Sequence, residues 1–410
     1  MAFTRRIFLK HSAMTMVGIG IAPTWLARSA WASTTGGRRK ILVAIFQRGA
    51  ADGLNIVVPY GEQVYYDRRP SIAIPRREVI DLDGFFGLHP AMAAFKPLWD
   101  QGQLAAIHAT GSPDPTRSHF DAQDFMESGT PGRKATDDGW LNRALAIDPA
   151  AGTSPMRAVA LSAQVPLTLQ GHVPAVAINN LQTFRIGAGP QTAMAGADFA
   201  ALYDQAADAV LRPAGQDAFE ALALVKKLDP RAYQPALGAN YPNQPLGQHL
   251  RQLAQLIKAD AGVEVAFADV QGWDHHVNEG NTQGQLANSL RGFAEAISAF
   301  WTDLGRRRQD VVLVTMSEFG RTVHENGDGG TDHGHANVMF VLGQSVHGGK
   351  VYGDWPGMSA GQLYQDRDLA ITTDFRDVLA EIVAEQLGVA QLEAVFPGFQ
   401  ADPRKLRSLL

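Results

Sequence analysis

Ile41-Leu42-Val43-Ala44-Ile45-Phe46-Gln47-Arg48-Gly49-Ala50-Ala51-Asp52-Gly53 is an unbroken apolar run that opens into a glycine-rich turn carrying a carboxylate. An apolar run with no polar alternation has no face for solvent, so it reads as a strand buried on both sides, the habit of parallel sheets. Ligands of such sheets gather beyond the carboxyl ends of the strands, where the 49–53 turn falls. Further strand patterns lie at 104–108, 159–161, 173–178, 263–270, 311–316 and 338–342. Helical patterns lie among them at 88–99, 120–126 starting near Ser118, 246–259, 283–304 and 375–385. Strands alternating with helices predict an α/β fold, with a mostly parallel sheet covered on both faces. One α/β domain is expected over 38–400. Within it, the Ala/Leu-rich stretch 190–260 reads as a helical insertion or cap. Its segments 198–210 and 217–227 each open on an aspartate, a residue type suited to a helix N-cap.

The 410-residue chain contains no cysteine. That excludes disulfides, thiol nucleophiles, cysteine-ligated zinc and iron–sulfur clusters together. The net charge is −5 and no sustained basic stripe appears; Arg306-Arg307-Arg308 follows a helical pattern and reads as a solvated helix end, so no nucleic-acid partner is expected. At the N-terminus, Thr4-Arg5-Arg6-Ile7-Phe8-Leu9-Lys10 resembles a twin-arginine export signal. The following apolar stretch, 14–26, is broken by Gly18, Gly20 and Pro23 and falls short of the roughly 20 residues that span a bilayer. Ala30-Trp31-Ala32 supplies a cleavage pattern. Residues 1–32 are therefore expected to be a signal read by the twin-arginine export machinery. The mature protein is expected in the periplasm or outside the cell, with no transmembrane segment.

Five polar clusters fall near strand ends or helix starts: Asp52 with Asn55; Ser118-His119 with Asp121 and Asp124; Asp274-His275-His276; Glu318 with Arg321; and Asp332-His333 with His335. Carboxylates buried together need cations to neutralise them. Imidazole mixed with carboxylate suits zinc, manganese or iron better than calcium. Each residue also has a plainer reading. Asp52 is equally a cap or turn residue. Adjacent His275 and His276 would point to opposite faces of a regular strand, leaving one as a direct ligand. Asp332, His333 and His335 also fit a hydrogen-bonded loop. Ser118 reads both as an N-cap, with Asp121 three residues on, and as an oxygen nucleophile at the positive end of a helix. Arg117 and Arg321 fit either an anion clamp or an ion pair with a neighbouring carboxylate. His119 fits a ligand, an acid/base group or a support for one.

The motifs at 46–55, 87–90, 116–123 (Thr-Arg-Ser-His-Phe-Asp-Ala-Gln), 138–143, 317–322 (Ser-Glu-Phe-Gly-Arg-Thr) and 330–335 (Gly-Thr-Asp-His-Gly-His) resemble the bacterial exported family called domain of unknown function 1501. The resemblance runs through nearly the whole mature chain. That family in turn resembles the alkaline phosphatase/sulfatase superfamily, which includes cofactor-independent phosphoglycerate mutases. The resemblance implies a three-layer α/β/α sandwich and a divalent metal centre of one or two ions. It implies Asp52 as first metal carboxylate, Ser118 as nucleophile, Asp274 and His276 as a metal pair, Glu318 as a further carboxylate and His333 or His335 as the final histidine. His275 stands where the family more often has threonine, and Glu318 lacks the histidine that follows the superfamily's aspartate. The function expected on this basis is hydrolysis of a phosphate or sulfate ester, with Arg117 or Arg321 stabilising charge and His119 or His335 transferring a proton. The alternatives are a non-catalytic periplasmic metal- or glycan-binding accessory protein and a metal-dependent transferase or mutase.

Overall fold

In the computed structural model, residues 39–147, 154–183, 220–221, 224–225, 227–402, 406, 409 and 410 are described. The expected signal segment 1–32, the expected helix 198–210 and much of 217–227 lie outside them. The 41–46 run is strand β1 (Ile41–Gln47), and every residue in it is buried. In chain order there follow β2 (Leu104–Gly111), α1 (His119–Ser128), α2 (Trp140–Ile147), β3 (Ala158–Leu161) and β4 (Val176–Ala177). Next come α3 (Pro245–Lys258), β5 (Val265–Val270), α4 (Gln285–Leu304), β6 (Val311–Ser317) and β7 (Asn337–Gly343). The short strands β8 (Val351–Tyr352) and β9 (Thr373–Asp374) and helix α5 (Phe375–Leu387) follow.

Among the described residues nine strands form one sheet in the order β8-β2-β7-β6-β1-β5-β3-β4, with β9 also paired to β2. Val43 of β1 sits opposite Ala266 on one side and Leu313 on the other, both in parallel register. β7 runs antiparallel to β6 and to β2; the remaining strand pairs are parallel. The mostly parallel α/β sheet expected from the sequence is thus observed. Ile41, Val43 and Ile45 enter the core shared with α3 and α4, whereas Leu42, Ala44 and Phe46 enter the core shared with α2 and α5. Burial on both faces explains the unbroken apolar run, at roughly 1.5–3 kcal/mol for each large side chain removed from water. The described part of the 190–260 stretch includes α3, whose apolar stripe packs into the core beneath the sheet.

One expected helix is divided. Residues 88–99 begin with Leu88 in a three-stranded side sheet made by Val57–Val58, Ile80–Asp81 and Gly87–Leu88. A 3-10 turn then covers Pro90–Phe95, and an α-helix covers Lys96–Asp100. Pro90 and Pro97 each lack an N–H and each takes the first turn of its own segment, where none is needed.

The parallel direction of β1, β2, β5 and β6 brings their carboxyl ends to one edge. The reversed β7 delivers its amino end to that same edge, so the 331–336 segment returns over the turns that leave the other strands.

Candidate metal centre

His119 is the first residue of α1, immediately after Ser118, whose hydroxyl accepts the Asp121 N–H at 3.5 Å as the helix cap. From there the His119 ring meets Glu318, beyond β6, through Nδ1···Oε1 at 2.8 Å. Glu318 is buried, and its Oε1 also receives the Gly49 N–H at 2.8 Å and the Gln123 amide at 2.9 Å. Burial alone would raise the Glu318 pKa; the hydrogen bonds from His119, Gln123 and Gly49 outweigh it and hold the carboxyl below its usual range. An ionised carboxylate only accepts, so Nδ1 of His119 carries a proton, and in the neutral ring Nε2 is a bare lone pair.

Two other histidines are oriented by the same logic. His333 places Nδ1 3.0 Å from the Arg117 carbonyl, and His276 places Nδ1 3.1 Å from Asp332 Oδ1. Both contacts demand an N–H on Nδ1 and leave Nε2 unprotonated in the neutral ring. The bare nitrogens face one another: His333 Nε2 lies 2.9 Å from His119 Nε2 and 3.0 Å from His276 Nε2. Asp274, 45% exposed, completes the group, its Oδ1 3.0 Å from His276 Nε2 and 3.3 Å from His333 Nε2. Its Oδ2 stands 3.6 Å from His119 Nε2. Burial pushes the Asp274 pKa up, but the Arg321 hydrogen bond pulls it below the ordinary range. Burial, helped by the charge of Arg321, depresses His333 and favours its neutral form.

Neutral imidazole lone pairs at such separations repel unless a proton or a cation lies between them. His119, Asp274 and His333 offer donor atoms within 4.8 Å of one another, with His276 beside them. The donor set fits zinc, manganese or iron: imidazole nitrogens with a carboxylate, each ring fixed by an oxygen on its far nitrogen. Backbones must approach closely to assemble it. A Cβ on Gly49, whose φ is +119°, would stand 2.7 Å from the Asp274 nitrogen; one on Gly330 would stand 2.4 Å from the His276 carbonyl carbon.

The other residues singled out in the sequence have different surroundings. Asp52 is buried against Arg69, whose two terminal nitrogens both bind its carboxylate, one at 3.0 Å. Arg69 also holds Asn55 and the carbonyls of Thr322 and Val323. Arg321 is buried and committed to the carbonyls of Gly49, Ala50, Trp273 and Thr331 and to Asp274 at 2.6 Å. Arg117 binds Asp368 at 2.6 Å and Gln365 at 2.9 Å. Both arginines therefore take the ion-pair alternative. Buried His275 leaves Nδ1 without a partner, and burial with nearby Arg321 lowers its pKa to about 4. The His335 ring stacks on Tyr364 at 4.2 Å between centroids.

Over residues 39–396 the sequence matches the family described as Protein of unknown function (DUF1501). The chain belongs to that family. No protein of curated function matches it in sequence. Solved structures similar to this family member include an alkaline phosphatase superfamily protein from Vibrio parahaemolyticus, at 10% identity and TM-score 0.35. That match covers 78% of the chain and 63% of the Vibrio protein, less than two thirds of its length. The C-terminal periplasmic domain of EcEptC from Escherichia coli, in complex with zinc, is 11% identical at TM-score 0.36, covering 75% of this chain and 73% of that one. The phosphonate monoester hydrolase of Agrobacterium radiobacter is 11% identical at TM-score 0.31, covering 90% and 79%. Among the described residues, no helix is long and apolar enough to cross a membrane.

Three polar residues of this region escaped the sequence reading. Gln123 lies one helical turn beyond His119, a spacing that puts both on one face, so its signal was present. Arg69, beside Arg68, and Glu279, in a loop without a motif, carried none.

Proposed function

We propose that the protein is an exported, metal-dependent hydrolase of a phosphate or sulfate ester. One observation carries the reading: the Nε2 atoms of His119 and His276 converge on that of His333 beside Asp274, each with its Nδ1 proton committed elsewhere. His119, Asp274, His276 and His333 would hold the ion, which when bound supplies positive charge for an anionic ester. Glu318 and Asp332 fix two of the rings. Ser118 is exposed at the amino end of ten-residue α1, next to His119, and among the described residues its hydroxyl is engaged only by the 3.5 Å contact with Asp121. In this reading Ser118 is the attacking oxygen. The resemblance of residues 4–10 to a twin-arginine signal supports a site outside the cytoplasm.

The test is purified protein with measured metal content, assayed on aryl phosphate and aryl sulfate esters. Ser118→Ala should lower turnover by orders of magnitude while keeping the metal. Unchanged turnover in this variant would remove Ser118 from the reaction, and wild type that takes up no divalent metal would sink the whole reading. A second reading, a non-catalytic metal-binding protein, is favoured by the pairing of Arg117 with Asp368 and of Arg321 with Asp274, which partly neutralises both cations. Metal uptake with no turnover of either ester class would select it.

A further inference from the structure

Glu279 lies between His276 and α4 with 0% exposure. Its Oε2 accepts the Thr331 hydroxyl at 2.9 Å. Its Oε1 meets no donor among the described residues, and the Asp52 carboxyl lies beside it. Two carboxyls that meet in a dry interior can bond only through a proton that one of them carries. Asp52 already accepts two nitrogens of Arg69, so Glu279 is the group that holds the proton. An ionised Glu279 would leave Asp52, Glu279 and Arg69 with an uncompensated negative charge in a dry interior. Burial and the charge of Asp52 raise the Glu279 pKa well above the usual carboxylate range, in agreement with that placement.

The main chain around Glu279 makes contacts in the same direction. Its N–H donates to the Gly329 carbonyl at 2.9 Å, the Asn278 N–H to Asp328 at 3.0 Å, and the Thr331 N–H to the His275 carbonyl at 3.1 Å. The loop that bears Asp274 and His276 is thereby laced to the loop that bears Asp332 and His333. Their rings must keep the 3.0 Å separation between His276 and His333 although they arrive from different strands.

We propose that Glu279 is a positioning residue: a neutral acid that donates to Asp52 and accepts from Thr331, tying the two histidine-bearing loops to each other and to the end of β1. It rests on the metal reading only where metal affinity is the readout. Glutamine can make both contacts, donating through its amide and accepting through its carbonyl; leucine can make neither. Zinc titration of the full chain should show Glu279→Gln close to wild type and Glu279→Leu weaker by about 10–100-fold, the usual cost of losing a group that orients a ligand. Amide hydrogen exchange, read without metal, should rise together in 273–279 and 329–333 for Glu279→Leu and stay low for Glu279→Gln. If leucine leaves both affinity and exchange unchanged, or glutamine damages them as much as leucine does, the proposal is wrong. Wild type that takes up no zinc would overturn the metal reading, and the exchange pattern would still decide the tying role. Should Glu279→Leu fail to fold, Thr331→Val removes the hydroxyl at equal shape; unchanged exchange in that variant would overturn the proposal.

Discussion

Stripping and restoring the ion is the most direct perturbation of the converging imidazoles. A ligand that binds only the folded chain at 100 times its dissociation constant adds about 2.7 kcal/mol of stability. Unfolding a cooperative unit of about 360 residues carries an entropy near 0.75 kcal/mol per degree, so the melting temperature should rise by roughly 3–4 °C. The shift has a structural source: in their neutral rings His119, His276 and His333 turn bare nitrogens towards one another and towards Asp274, and a cation between them relieves that repulsion. Calorimetric melts of chelator-treated protein, with and without zinc, measure it. His333→Ala removes the nitrogen common to both short contacts and should abolish the zinc-dependent part, whatever it does to the baseline melt. Coincident melts with and without zinc, or an equal shift in His333→Ala, would refute the reasoning.

Two further outcomes concern the scaffold. Arg69→Met leaves Asp52 as an uncompensated buried charge and should cost about 3–5 kcal/mol in chemical denaturation; adding Asp52→Asn should recover much of it, and a loss below about 1 kcal/mol would contradict the buried pair. His108 donates from Nε2 to the Val57 carbonyl at 2.9 Å and accepts the Ala109 N–H on Nδ1 at 2.8 Å, so only the neutral ring fits. Burial lowers its pKa to about 4, and a depressed folded value means the unfolded chain binds more protons between pH 6.5 and 4. Its contribution, up to about 3 kcal/mol, is therefore present above pH 6.5 and lost as pH falls towards 4. His108→Gln should flatten that part of the profile in urea midpoints measured at pH 7 and 4.5; parallel profiles for variant and wild type would show that His108 is not the group responsible.

Much of the fold was legible because a strand covered on both faces is apolar along most of its length. β1, β2, β5, β6 and β7 all announce themselves this way, and each came within a few residues of its observed bounds. The 88–99 segment did not, because its prolines start two short turns where apolar spacing alone suggested one helix. Of the polar residues singled out, His119, Asp274, His276, Glu318, Asp332 and His333 come together, whereas Asp52, Arg117 and Arg321 are taken up by ion pairs. Nothing local could separate these outcomes. An aspartate beside a strand end looks the same whether an arginine or a metal will meet it.

By itself, then, the sequence determined the α/β class, the buried central strands, the exclusion of cysteine chemistry and the pool of Asp, Glu and His from which a site could be drawn. Side-chain type and periodicity settle those matters before any long-range contact forms. The tertiary structure decided which of the pool meet. The antiparallel entry of β7 brings His333 to His119, 214 positions earlier in the chain, and Gly49 and Gly330 let the carrying loops touch backbone to backbone. Tautomer and charge followed from that meeting, because a proton settles on one nitrogen or oxygen only once its neighbour is known.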